Sequence, residues 1–388
     1  MEINNLTKKI IFTGGGTGGS VTPLLAIAEE LLRDGPDNHQ ATIFNSSQED
    51  RSFRFNWEFL FVGTYQGPER EMVTDFNSEV GPMRFVPLVS GKLRRYFSPA
   101  NFFDAFKVFA SWFVSLRLLS VEKPDLIVSA GSFVSVPLVW AAALRRIPII
   151  IHQQDARPGL ANRLMAPFAR LITVTFEKSL ADFGPGSIFT GNPVRSLAIN
   201  EEELQHIKKK FNIDPDRPFI LITGGGTGAA SINRLVARSI KQLTQSYQII
   251  HVTGKGKLPH KIEDFRHYQA YEFIANKDIL GLMMASDLIV SRCGLAFLTE
   301  LSALNKAALL IPMPESHQED NADIFRDAGA AIVLRQDSLS PLKFTSEIDR
   351  AISDVSLRAD MCVKVGLVIK RGAATKIAVK IKEIISGV

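Results

Sequence analysis

The hexapeptide Thr-Gly-Gly-Gly-Thr-Gly occurs twice in this chain, at Thr13–Gly18 and at Thr223–Gly228. Each copy follows a short apolar run, Ile10-Ile-Phe in the first and Phe219-Ile-Leu-Ile in the second. Each precedes a helical pattern, Pro23-Leu-Leu-Ala-Ile-Ala-Glu-Glu-Leu-Leu and Ile232-Asn-Arg-Leu-Val-Ala-Arg-Ser-Ile. Strand, glycine turn and helix form the opening unit of a doubly wound sheet. The repetition predicts two similar α/β halves, and 388 residues suffice for two domains.

Other short apolar runs read as strands. In the first half they are Ala41–Phe44, Leu60–Val62, Asp125–Val128, Pro148–His152 and Leu171–Thr175. In the second they are Gln248–Val252, Tyr271–Ile274, Asp287–Ser291 and Ala308–Pro312. Helical segments separate most of them, which predicts parallel sheets. The boundary is expected near Gly191–Arg195, giving domains over 1–194 and 195–370. Beyond it come a charged helix at Asn200–Lys210 and a turn-rich linker at Asp214–Pro218, while Asn45–Asn56 reads as an exposed loop.

Composition excludes several classes. A chain 46% hydrophobic with 26 Phe is not disordered. Cys293 and Cys362 fit neither a disulfide framework nor a zinc spacing, so a reduced, intracellular protein is expected. The N-terminal apolar run is too short for a signal peptide. A net charge of +5 is no nucleic-acid signature. Leu126–Leu144 carries no charge, but Gly131 and Pro137 make it a strand, a glycine loop and a helix rather than a membrane span.

Between Arg84 and Ser120, six basic residues accompany one acid, Asp104. The same stretch carries Phe102, Phe103, Phe106, Phe109, Trp112 and Phe113. It reads either as a buried helix beside a charged loop or as a patch resting on anionic lipid.

The glycine loops permit chemistry as well as turns. Glycine lets backbone amides approach a ligand, and a helix N-terminus suits phosphate. Gly14-x-Gly16-x-x-Gly19 matches the dinucleotide fingerprint and motivates a nicotinamide-dependent oxidoreductase reading. The ribose-binding acid that should follow the second strand is missing after Ala41–Phe44. Ser20 follows Gly19 with no Lys between, which excludes a Walker A loop. In Ser291–Glu300, the helix N-terminus near Leu295–Phe297 suits a diphosphate, and Glu300 suits two ribose hydroxyls. Asp214-x-Asp216 has a central Pro in a linker, so no metal is expected there, and no cofactor is expected.

An ordered series of motifs resembles the MurG family of glycosyltransferases. It comprises Gly14–Gly19 with Pro23, Gly63-Thr-x-x-Gly67-x-Glu69, Gly131, His152-x-Gln154, Gly159-Leu-x-Asn162 and Gly191-Asn-Pro-Val-Arg195. It continues through Gly224-Gly-x-x-Gly-Ala229 with Asn233, Gly254-Lys-Gly256, Phe273-Ile274, Arg292-x-Gly294, Glu300, Gln318 and Asn321. The resemblance implies a GT-B fold, in which two Rossmann-like doubly wound parallel-sheet domains face across a cleft. It also implies that the helix over 371–388 packs back on the first domain.

The implied reaction is inverting transfer of N-acetylglucosamine from UDP-N-acetylglucosamine to an undecaprenyl-pyrophosphoryl-N-acetylmuramyl-peptide in peptidoglycan synthesis. The implied location is peripheral, on the cytoplasmic face of the membrane, with an anionic surface as partner and no nucleic acid. Donor contacts would come from Arg195, Gly226, Thr227, Ile274, Leu295, Ala296, Glu300, His317 and Gln318. Gly15, Gly16, Thr17, Gly18, Gly19 and Gly131 would cradle the acceptor pyrophosphate.

Ser20 stands where the family has His, and His152-Gln153-Gln154-Asp155 replaces His-Glu-Gln-Asn. Gly226-Thr227, His317 and Phe297 also depart from the pattern. Asp155, His152 and Ser20 stay open as catalytic candidates, with His317 a further proton acceptor. The departures leave two alternatives, a UDP-sugar transferase with another lipid acceptor and a non-catalytic nucleotide-sugar binder.

Overall fold

A computed structural model describes residues 6–33, 55–89, 91, 100–195, 199–225, 228–257 and 265–387, with backbone alone at 100–106. The expected strand Ala41–Phe44 and most of the loop before Asn56 lie outside these residues. The chain forms two compact units, Met1–Arg195 with Lys370–Val388, and Ser196–Ile369.

The first unit is built on seven parallel strands: β1 (Thr7–Thr13), β2 (Asn56–Gly63), β3 (Met83–Pro87), β4 (Leu126–Ser129), β5 (Ile149–Gln153), β6 (Leu171–Val174) and β7 (Ser187–Phe189). Their order is β3-β2-β1-β4-β5-β6-β7. The order reverses between β1 and β4, so the loops leaving those strands flank the crevice where doubly wound sheets bind ligands. The helices are α1 (Thr22–Arg33), α2 (Glu69–Glu79), α3 (Ala100–Glu122), α4 (Ser135–Leu144) and α5 (Leu160–Met165).

Side chains alternate along these strands. Ile10, Phe12, Phe59, Phe61, Leu126 and Val128 join α1 on one face. Ile11, Leu60, Val62, Ile127, Ile149 and Ile151 join α4 on the other. Strands covered on both faces read as continuous apolar runs, which explains their legibility. The charge-free run Leu126–Leu144 becomes β4, a glycine loop and α4. Among the described residues no helix is long and apolar enough to cross a membrane.

The second unit has six parallel strands: β8 (Phe219–Thr223), β9 (Gln248–Val252), β10 (Tyr268–Tyr271), β11 (Leu288–Ser291), β12 (Ala308–Leu310) and β13 (Ile332–Val333), in the order β10-β9-β8-β11-β12-β13. Its helices are α6 (Glu201–Lys210), α7 (Ala230–Ser246), α8 (Asn276–Ala285), α9 (Leu295–Ala303), α10 (His317–Asp327), α11 (Pro341–Ser353) and α12 (Val355–Val368). Asn200 and Glu203 cap α6 reciprocally, with three acids in its first turn and three lysines in its last. The last helix, α13 (Ala373–Ser386), packs on α1 and sends Ile377, Ala378 and Ile381 into the first unit's core.

One strand differs from expectation. The run Tyr271–Ile274 is not a strand; β10 ends at Tyr271. Thr253 N bonds Tyr271 O, and the neighbouring strand then turns away at Gly254, which leaves Glu272–Ile274 no ladder to join. The short edge strands β3, β7 and β13 were not expected, because two to five mixed residues carry no periodic signal.

Candidate active site

In the first unit, β1, β4 and β5 are neighbours, so their outgoing loops bring Gly15–Ser20, Gly131 and Asp155 to one edge of the sheet. The glycine loop is held from within. Gly15 N donates to Ser20 Oγ at 2.9 Å. Gly16 N donates to Glu69 Oε1. Glu69 is fully buried and also receives the Thr64 hydroxyl, at 3.0 Å and 3.2 Å from its two oxygens. A Cβ at Gly15 would lie 1.9 Å from Glu69 Oε1, and one at Gly67 would lie 1.8 Å from Oε2. Both positions are glycine because a carboxylate fills the space beside them. Among the described residues no cation pairs with Glu69. Local sequence carries no signal for this role of Glu69, since its partner is 53 residues away.

His152 is fully buried, with Nδ1 2.8 Å from Thr173 Oγ1 and Nε2 2.7 Å from Asn192 Oδ1. Asn192 Oδ1 only accepts, so Nε2 carries the proton and Nδ1 accepts from Thr173. Burial pulls the imidazole down to about 4, partly offset by the Asn192 bond. Asp155 is half-buried in the loop after β5. Arg195 belongs to the first unit, where it pairs with Glu79 at 2.8 Å and Glu29 at 3.4 Å.

In the second unit, β8 and β11 are adjacent, so the loop after Thr223 lies beside the start of α9. Gly226 and Thr227 lie outside the described residues. Gly228 has φ +68°, and a Cβ there would meet Thr253 O at 2.1 Å, so two loops touch backbone to backbone. Asn233 on α7 secures that contact by donating to Thr253 O at 3.1 Å and Lys257 O at 3.3 Å. Its Oδ1 lies 3.1 Å from His251 Nε2, and His251 Nδ1 lies 2.9 Å from the Tyr268 hydroxyl. Burial holds His251 neutral down to about 4. This network was not foreseen, because it joins residues from three separated elements.

Gly294 caps α9 without a side-chain bond, so the amides of Leu295 and Ala296 have no capping side chain. Glu300, one turn further along, stays partly accessible, yet desolvation pushes its carboxyl up to about 7. No hydrogen bond or ion pair meets that carboxyl among the described residues. Gln318 Oε1 accepts from Cys293 N at 3.2 Å and Met313 N at 3.1 Å, which leaves its Nε2 to donate. His317 opens α10 beside it, and Ile274 is buried just beyond β10. Arg292 buttresses this edge through Ile311 O, Pro312 O, Ser231 Oγ and Gln336 Oε1. Asp214 accepts from Asp216 N at 3.0 Å, as a turn residue does.

The model of the glycosyltransferase family 28 N-terminal domain matches residues 10–174, and that of its C-terminal domain matches residues 219–370. The chain belongs to glycosyltransferase family 28. Membership in this family removes the oxidoreductase reading of the first glycine loop. A relative from Clostridium botulinum (strain Langeland) is 36% identical over 337 residues, 86% of this chain and 87% of its own. It is named UDP-N-acetylglucosamine--N-acetylmuramyl-(pentapeptide) pyrophosphoryl-undecaprenol N-acetylglucosamine transferase. The crystal structure of Acinetobacter baumannii MurG shares the fold, with a TM-score of 0.68, 23% identity, and 97% of this chain and 99% of that one covered. So does a UDP-GlcNAc 2-epimerase from Neisseria meningitidis bound to UDP-GlcNAc, with a TM-score of 0.68, 15% identity, and coverage of 97% and 99%.

Proposed function

We propose that this family 28 protein transfers N-acetylglucosamine from UDP-N-acetylglucosamine to undecaprenyl-pyrophosphoryl-N-acetylmuramyl-pentapeptide, the lipid I to lipid II step of peptidoglycan synthesis. The observation that carries the reading is in the second unit: an uncapped α9 N-terminus followed, one turn on, by the unpartnered Glu300 carboxyl. It occurs in a chain 36% identical to a protein named for that reaction.

The Leu295 and Ala296 amides take the diphosphate and stabilise the charge that develops as UDP departs. Glu300 accepts the ribose hydroxyls, the Ile274 backbone meets the uracil, and Gln318 Nε2 donates to the sugar beside His317. Gly226 and Thr227 are further donor contacts on the family resemblance alone. An acceptor hydroxyl attacks the anomeric carbon from the face opposite UDP, with inversion.

Asp155 takes the proton. His152 is less suited, because both ring nitrogens are engaged inside the protein. Ser20 is less suited because its hydroxyl closes the glycine loop. The Thr17–Gly19 turn is assigned to the acceptor pyrophosphate; Gly15, Gly16 and Gly131 shape their loops while their amides are engaged by Ser20, Glu69 and Ser129. A donor contact from Arg195 would require its pairs with Glu29 and Glu79 to open.

The acceptor is a membrane lipid, and α3 suits a peripheral location on the cytoplasmic face. Phe109 and Phe113 are 60% and 53% exposed, in contact with Trp112, on a helix that also carries Lys107 and Arg117. Transfer from UDP-N-acetylglucosamine, assayed with lipid I, tests the function. No turnover and no UDP-sugar binding would refute it. Turnover with a different lipid acceptor alone would favour a UDP-sugar transferase of other acceptor specificity, and UDP-sugar binding without turnover would favour the non-catalytic binder that Ser20 and Gln153 motivate.

A further inference from the structure

Gln153 ends β5 and is 2% exposed. Its single side-chain amide holds three groups. Nε2 donates to Asp155 O at 2.7 Å and to Arg157 O at 3.1 Å. Oε1 accepts from Asn162 Nδ2, on α5, at 2.7 Å. The next residue, Gln154, ties the same loop to the β4 turn through Ala130 O at 3.2 Å. Strand, loop and helix therefore meet at one amide group.

A glutamate of the same shape would not be equivalent here. An ionised carboxylate has no N–H, so it would face two carbonyl oxygens with lone pairs alone. It could still accept from Asn162. A protonated acid recovers one of the two carbonyl bonds.

We propose that Gln153 is a positioning residue that clamps the backbone of Asp155, and that its amide makes the setting of this loop independent of pH. The inference rests on the reading of Asp155 as proton acceptor. The titratable groups around it are His152 on its own strand, Asp155 and Arg157 on the loop, Arg163 on α5, and Glu177, Lys178 and Asp182 on the turn whose Ser179 bonds Ala156 O. The flanking strands β4 and β6 carry none.

The test compares Gln153→Glu, Gln153→Ala and the native protein from about pH 5 to about pH 9. For Gln153→Glu, kcat should stay near native at the acid end and fall about tenfold toward the alkaline end, with KM for UDP-N-acetylglucosamine unchanged. Its melting temperature should fall over the same range. The folded variant holds the proton of the introduced carboxyl above that group's unfolded pKa, so folding loses ground as pH rises. Gln153→Ala should lose kcat equally at every pH.

Hydrogen exchange of the segment 153–165 should accelerate in both variants, for Gln153→Glu only toward alkaline pH. Profiles superimposable on the native ones would overturn the proposal. If the native protein transfers no sugar, the functional reading falls, while melting and exchange still decide the clamp.

Discussion

The Glu69 carboxylate accepts the backbone amide of Gly16 inside the first glycine loop. Three glycines border it: Gly15, Gly67 and Gly63, whose Cβ would lie 3.1 Å from Glu69 Cβ. The loop thus owes its shape to a buried side chain of α2.

Gly67→Ala should destabilise the first unit by about 1–3 kcal/mol, because its Cβ would overlap Glu69 Oε2. Glu69→Ala should cost about 2 kcal/mol by leaving the Gly16 amide without an acceptor. In the double variant the overlap is gone, so its loss should be smaller than the sum. Thermal or urea unfolding of the four proteins measures that coupling; strict additivity would contradict it.

Glu300 should make donor binding pH-dependent. Ribose hydroxyls donate to the ionised form, so UDP affinity should rise as pH increases through about 7. Without ligand the sign is opposite. The folded carboxyl keeps its proton above the unfolded value, so stability declines from roughly pH 4.5 to about 7. Glu300→Gln should abolish both slopes and weaken UDP binding about 10–100-fold. Calorimetry across this range checks both.

Asn233→Ala should release the Thr253 and Lys257 carbonyls and destabilise the second unit by about 2 kcal/mol. Asn233→Asp should do no better, since a carboxylate cannot donate to either carbonyl. Both variants should raise KM for the donor more than they lower kcat, because the loop they loosen touches Gly228, in the loop proposed to meet the donor. Steady-state kinetics with a matched melting curve provides the check.

His152 and His251 should remain neutral through the physiological range. Their folded values near 4 lie below the unfolded value, so their contribution to stability is present above about pH 6.5 and is lost as pH falls toward 4. Histidine NMR titration should show two imidazoles silent between about pH 5 and 8. Titration of His152 near neutrality would restore it as a candidate base.

Phe109→Asp with Phe113→Asp should reduce binding to anionic vesicles by at least about tenfold, since each buried Phe contributes about 1.5–3 kcal/mol. UDP binding should not change. Vesicle co-sedimentation that is unaltered would remove α3 from the proposed membrane surface.

The amino-acid sequence by itself determined the two α/β units, their glycine loops and the principal parallel strands. Strands buried on both faces must be apolar throughout, and Thr-Gly-Gly-Gly-Thr-Gly after such a run leaves few alternatives. It also singled out Glu300, one helical turn beyond a strand-end glycine. Tertiary structure alone decided which polar groups are spent inside the protein. His152 stands in sequence as one of three open catalytic candidates but is closed between Thr173 and Asn192, and Ser20 is turned onto Gly15. Glu69, Gln153 and Asn233 each complete hydrogen bonds for a loop whose own residues cannot. Glu69 with Gly16, His152 with Asn192 and Asn233 with Thr253 lie 53, 40 and 20 residues apart, and only folding brings donor and acceptor within reach.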